Sequence, residues 1–550
     1  MKPFARFVPV VAALVMLLSI TPTWGQSLNP TASDGHYNTA GGSGAVFEIG
    51  QSFLGYFNTG FGAFALEQIN FGDDNTAIGY VALTSNTNGH DNTAVGYGAL
   101  STNTTGLWNT AIGSESLSLN TFGQYNAASG YRALYSNTEG GANTGTGGLA
   151  LAGNTTGDEN TGTGFSTLIS NTTGKYNTAT GADALYNNST ASYNTATGMA
   201  SMYSNTIGEY NSAHGYNALT SNTSGTNNTA TGANALYSNS TGSYNTATGT
   251  DALHHNSTGS YNSAHGWQAL VSNTTGNSNT ASGINALYNN LDGSYNAAYG
   301  FNTLVDNTAG INNTAIGAEA LVQNTTGNLN TATGFQALES NAVGSNNTAV
   351  GGKALKKSTG TKNIGIGYQA GVSLTTGNNN IYIGNNGAGD ESQAIRIGTA
   401  QTHTFIAGIN TAGVSGTAVV VDANGQLGVT LSSARYKQDI EAMANRSEGL
   451  LKLRPVTFSY KGDTAAAPHY GLIAEEVATV YPELVTRTAT GEVQTVKYHE
   501  LIPMLLNELQ HEHEALQHEH QALEQQRAEV GMLRQELAEA RALMGSRLGQ

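Results

Sequence analysis

Asn177-Thr178-Ala179-Thr180-Gly181-Ala182-Asp183-Ala184-Leu185-Tyr186-Asn187-Asn188-Ser189-Thr190-Ala191-Ser192-Tyr193 is one turn of a pattern that restarts at Asn194. The same seventeen residues, roughly N-T-A-x-G-x-x-A-L-x-x-N-T-T-G-x-x, recur without a slip from Asn58 to the unit opening at Asn347, in eighteen copies. A strict short period makes each unit a single coil that buries its apolar side only against its neighbours. A catalytic centre needs unlike residues converging from distant positions, whereas a ladder of like residues makes a rod. The repeats predict a spacer or display surface, with any chemistry outside them.

Within the unit, Thr178, Ala179 and Thr180 read as a short strand that Gly181 ends, and Asn188–Ala191 reads as a turn. The fifth residue is Gly in all eighteen copies, which implies positive φ or a backbone approach that a Cβ would block. The third is Ala or Gly, so the interior there is narrow. The ninth is Leu except at Met202, giving a continuous apolar ladder through Leu185, Leu219 and Leu236. The twelfth is nearly always Asn (Asn171, Asn222, Asn273), whose amides can hydrogen-bond from coil to coil. The fourth tolerates Ile78, Val95, Thr180, His214, His265 and Tyr299, which marks an outward or interchain face. At about 4.8 Å per coil the repeats span on the order of 90 Å. His214 and His265, three coils apart, cannot share a metal. Tyr recurs before the unit (Tyr176, Tyr193, Tyr210, Tyr244, Tyr261) and after the Leu (Tyr186, Tyr237, Tyr288). These stripes either stack on sugar rings or cover coil edges and a chain–chain contact. The frequent Asn-x-Ser/Thr triplets fall out of the period and are no evidence of glycosylation.

Charged residues are only 11% of the chain and Gly numbers 70, yet the regular Ala and Leu positions argue against disorder. The net charge of −16 is spread along the chain, which disfavours nucleic acid as a partner. With no cysteine there is neither a disulfide framework nor a thiolate metal site, and no cofactor is implied. Residues 1–25 read as a signal peptide: Lys2 and Arg6, the apolar stretch Val8 to Ile20, then Thr23-Trp24-Gly25 as the cleavage region. Nothing else suggests a bilayer span, so the mature chain is expected outside the cytoplasm of a bacterium, secreted or on the cell surface, with no membrane segment.

The repeats resemble the β-roll heads of trimeric bacterial surface adhesins, which share an N-T/S-A-x-G core. Those repeats are shorter, and this chain lacks the barrel that anchors such adhesins. One residue is lost near Lys356–Thr361, and a further coil follows at Asn380-Ile381-Tyr382-Ile383-Gly384. The expected division is an N-terminal segment over 26–57, repeats over 58–390 and a β-stalk over 391–431. The stalk holds strands at 394–398, 404–408 and 418–422 and a hairpin turn at Asn424-Gly425.

From Ser432 the composition changes. Ser432-Ser433-Ala434-Arg435-Tyr436-Lys437-Gln438-Asp439-Ile440 resembles the opening of the endosialidase-type intramolecular chaperone, the self-cleaving peptidase domain of phage tail spikes and fibres. Leu453-Arg454-Pro455-Val456, the run Tyr470 to Val477 with Gly471 and Glu475, Pro482-Glu483-Leu484-Val485 and Val496-Lys497-Tyr498 continue the resemblance in order. Ser433 departs from it, standing where the family often has Asp. The resemblance implies a small α+β chaperone core over 432–501, a homotrimer, and self-cleavage between Leu431 and Ser432. Ser432 would be the nucleophile and Lys437 the general base, with Arg435, Gly471 and Glu475 as supporting motif residues. A Ser hydroxyl needs a base to attack at neutral pH, and a Lys amine is one only when desolvated. Attack within one chain gains from fixed geometry, so the chain would be an autoproteolytic serine peptidase acting once in cis.

Residues 502–550 read as a coiled-coil helix, with Ile502, Leu509, Leu516, Leu523, Val530, Leu537 and Met544 every seventh residue. Its companion core position is poor, being His513, His520 and Arg527 in one register or Glu512, Glu519 and Gln526 in the other. The cluster His511, His513, His518 and His520 reads as a polar seam rather than a metal or anion site. The fold expected is mainly β: a β-solenoid rod and stalk, then the chaperone and its helix, in a trimer. The function expected is an exported, adhesin-like fibre, with a surface glycan or other host-surface ligand as a possible partner. The alternative is a non-cleaving structural, glycan-binding or ice-binding solenoid.

Overall fold

The computed structural model describes residues 32–33, 35–45, 55–406, 416, 418–422, 425–461, 468–488 and 490–547. The expected signal peptide, Asn424 and parts of the expected stalk lie outside them. The chain forms two units, one ending at Phe405 and the other beginning at Ile406.

The first unit is a β-solenoid. Each coil contributes one three-residue strand, and successive strands pair in parallel with like residues opposite: Thr178 on Thr195, Ala179 on Ala196, Thr180 on Thr197. The middle residue points inward, so Ala179, Ala196 and Ala213 are fully buried. Stacked with them inside the coil are the ninth-position Leu and eighth-position Ala, as at Ala184 and Leu185. The rest of each coil is turn, but its backbone is also bonded coil to coil: Gly181 N donates to Thr163 O at 2.8 Å, and Leu185 N to Ser201 O at 2.9 Å. The fifth-position glycine meets both expected requirements. Gly181 has φ 124°, and a Cβ there would lie 2.7 Å from the carbonyl carbon of Gly198.

Two asparagine ladders run through the interior. At the twelfth position Asn188 Nδ2 donates to Asn171 Oδ1 at 2.8 Å and to Ala191 O at 3.0 Å. At the first position Asn177 N donates to Asn160 Oδ1 at 3.0 Å, and its Nδ2 to Ala191 O at 2.8 Å. These amides satisfy polar backbone that would otherwise be buried unpaired. The second ladder went unread in the sequence, where the first-position Asn served only to mark the period.

The rungs run past both expected edges of the repeats. Thr39–Gly41 pairs in parallel with Thr59–Phe61, and Ala32–Ser33 folds back antiparallel onto Thr39 and Ala40. At the other end Ile395–Ile397 pairs in parallel with Ile381–Ile383, so the first strand assigned to the stalk is a solenoid rung. There Tyr382 takes the inward position held elsewhere by Ala or Gly and is fully buried. Its hydroxyl donates to Glu391 Oε1 at 3.0 Å, and Arg396 forms a fork on the same carboxylate at 2.7–3.0 Å. A large buried ring tied to an ion pair closes the end of the narrow core. In the second unit Val420–Val421 and Leu427–Gly428 form the expected hairpin. Thr404–Ile406, expected as a strand, takes none.

Candidate functional site

Beyond the hairpin the second unit holds two small antiparallel strand pairs, Val456–Phe458 with His469–Gly471 and Val485–Arg487 with Val493–Val496, the second of which packs against helix Ala474–Val480. Val477, Leu484, Val485, Val496, Leu501 and Met504 form the core. The helix Tyr498–Arg547 is pinned at its start: Asn507 Nδ2 donates to Ala444 O at 2.8 Å and Ser447 Oγ at 2.7 Å, while Ser447 Oγ donates to Glu508 Oε2 at 2.9 Å. Further along, Leu509, Leu516 and Leu523 are exposed, so this part of the heptad seam has no cover among the described residues.

Ser432 stands two residues before a 3-10 turn, Ala434–Tyr436, which the chain enters through the extended Ser433. The turn is closed by Tyr436 N donating to Ser433 O and Lys437 N to Ala434 O, which brings the side chain five residues on back toward the start. Lys437 Nζ lies 3.4 Å from Ser432 Oγ and donates to it. Both residues are exposed, as are Leu431, Tyr436 and Ile440 beside them. Base chemistry requires the reverse of this hydrogen bond, an amine accepting the hydroxyl proton.

Arg435 turns away from the pair and lies over the Tyr436 ring at 4.7 Å. Gly471 is held by packing: a Cβ there would meet Tyr498 Oη at 2.7 Å, and Leu472 N donates to that hydroxyl at 2.9 Å. Glu475 faces solvent. The acidic residue that is fixed is its neighbour Glu476, whose carboxylate takes a fork from Arg454, Nε at 3.2 Å. That pair holds the Glu476 carboxyl below the usual carboxylate range. Both residues stand in the motifs Leu453-Arg454-Pro455 and Glu475-Glu476, but spacing alone does not say which Glu meets the Arg.

The aromatic stripes of the solenoid stack ring on ring. Tyr176 stacks on Tyr193 and Tyr193 on Tyr210, both at 4.9 Å and within 10° of parallel, and Tyr186 stacks on Tyr203. Tyr193 is thus covered on both faces by its neighbours. Among the described residues no group of three His, Cys, Asp or Glu is placed to hold a metal, and no helix is long and apolar enough to cross a membrane.

Residues 432–486 match the family described as chaperone of endosialidase. The match opens on Ser432; the resemblance at Val496-Lys497-Tyr498 lies beyond it. No curated protein and no solved structure matches the chain. A β-solenoid followed by a chaperone-of-endosialidase segment is the layout of a tail-fibre-like protein with an intramolecular chaperone.

Proposed function

We propose that the chain is an exported fibre protein whose C-terminal unit assembles three copies and then severs itself between Leu431 and Ser432. The observation that carries this reading is the start of the family match on Ser432, the residue whose Oγ lies 3.4 Å from the Lys437 amine. Ser432 Oγ attacks the Leu431 carbonyl carbon while neutral Lys437 takes the hydroxyl proton. The peptide C–N bond breaks, the Ser432 amine leaves with a proton, and the Leu431 acyl group is held as an ester on Oγ. Water hydrolyses the ester, giving a Leu431 carboxylate and a released piece that begins at Ser432.

The exposure of the pair in one chain explains how cutting waits for assembly. A Lys amine gives up its charge when desolvated, and the exposed Leu431, Tyr436 and Ile440 surround the pair with apolar surface that packing between copies would bury. A repetitive ladder is prone to slip in register, so a clamp that must close before it is cut has a physical use. A retained, uncut chaperone is the second reading, favoured by Ser433 in place of the family's frequent Asp.

A denaturing gel of the wild type and of Ser432→Ala separates them. The wild type should lose a fragment spanning 432–550 and Ser432→Ala should stay whole. An uncut wild type that folds as a trimer would contradict the cleavage.

A further inference from the structure

The second and fourth residues of each coil flank the buried third and face outward. From the coil at Asn58 to the coil at Asn380, none of these positions holds Asp, Glu, Lys or Arg, in a chain with 21 basic and 37 acidic residues. The charges of the rod sit elsewhere on the coil, at the seventh, tenth, eleventh, fourteenth, sixteenth and seventeenth positions. There they pair between neighbouring coils as Glu115–Arg132, Glu339–Lys356 and Asp158–Lys175. An exposed strand face ordinarily carries charge, and a face that carries none over the whole rod is suited to being covered.

The fourth position also supplies large apolar side chains to this face. Ile78, Ile112, Tyr299, Ile316 and Val350 are each 40–47% exposed. Apolar anchors with charge depleted around them are what the centres of protein interfaces hold. The strand face is about 10 Å wide and about 90 Å long. That is on the order of 900 Å² per copy, against the roughly 800 Å² per partner of a standard stable interface.

We infer that this neutral face packs against the same face of other copies of the chain, so that the solenoid as well as the C-terminal unit holds the fibre together. A second copy fits better than a foreign partner because every copy carries the same net charge of −16. Like-charged rods approach most readily along a face without charge. The inference rests on the trimeric reading above and adds which surface the copies share.

The chain has no cysteine, so single cysteines report contacts cleanly. Thr163→Cys and Thr248→Cys lie on the neutral face, and Thr156→Cys lies on an exposed turn away from it. Each variant is treated with a short bismaleimide, with its mass measured in parallel by light scattering. The two face variants should give linked dimers on a denaturing gel at least about tenfold more than Thr156→Cys. A trimeric mass with no excess linkage on the face overturns this inference and leaves the trimer standing. A monomeric mass overturns the trimer and the shared face together.

Discussion

Gly181 and Asn188 show how little freedom a single coil position has. Replacing Gly181 by Ala puts a Cβ 2.7 Å from the Gly198 carbonyl at φ 124°, and should destabilise the rod by roughly 2 kcal/mol or more in chemical denaturation. Asn188→Ala removes the amide that donates to Asn171 and the oxygen that accepts from Asn205. At about 1–3 kcal/mol for each buried group left unpaired, it should cost far more than Thr180→Ala on the outer face, which should stay within about 0.5 kcal/mol of the wild type. The invariant glycine and the inward Ala and Leu were legible because burial and close approach restrict residue type. The left-handed backbone was not. Leu185 has φ 53°, at a position that holds neither Gly nor Asn in any of the eighteen copies, and the positions of Asp183 (φ 57°) and Tyr176 (φ 58°) hold Asn only in scattered copies such as Asn217 and Asn227. There the coil-to-coil hydrogen bonds and the packed interior impose a conformation most of these residues disfavour alone, and the leucine position records nothing of it locally.

At the scale of the element, the ends and breaks of the ladder matter most. The twelfth-position asparagines stop at Asn341, because the next rung has Ser358. Asn341 Oδ1 and Ser358 Oγ are buried without partners. Ser358→Asn should extend the ladder by one bond and raise stability by about 1 kcal/mol, seen as a higher denaturant midpoint; an unchanged or lower midpoint would show that the one-residue deletion following it has moved the rung out of reach. At the closing coil the Arg396 fork, more than the hydrogen bonds from Ala388 and Tyr382, holds the Glu391 carboxyl below its usual range. A carboxyl lowered on folding stabilises above its unfolded pKa of about 4.3 and loses that contribution as pH falls through the folded value. Glu391→Gln should therefore melt below the wild type at pH 7, with the gap closing in acid below pH 4. A gap that persists there would assign the effect to packing. Both edges of the solenoid were misplaced from sequence for a related reason: the rungs at Thr39–Gly41 and Ile395–Ile397 keep the ladder while dropping the seventeen-residue spacing that identified it.

For the whole molecule, a regular rod that carries no unique register is joined to a unit whose matched segment opens on Ser432. The Ser–Lys spacing was legible because the turn Ala434–Tyr436 is local, and five residues suffice to fold Lys437 back. The Arg454–Glu476 pair was not, since the choice between adjacent glutamates depends on how the helix Ala474–Val480 sits on its neighbours. The exposed seam of Leu509, Leu516 and Leu523 and the uncharged face of the solenoid are the two surfaces on which the proposed contacts between copies would form. The most direct test of this account is the mass of the folded, purified wild-type protein under denaturing conditions. The account predicts a chain ending at Leu431 and a separate chain beginning at Ser432. A folded, trimeric protein in which every chain still runs unbroken through residues 431 and 432 would contradict it.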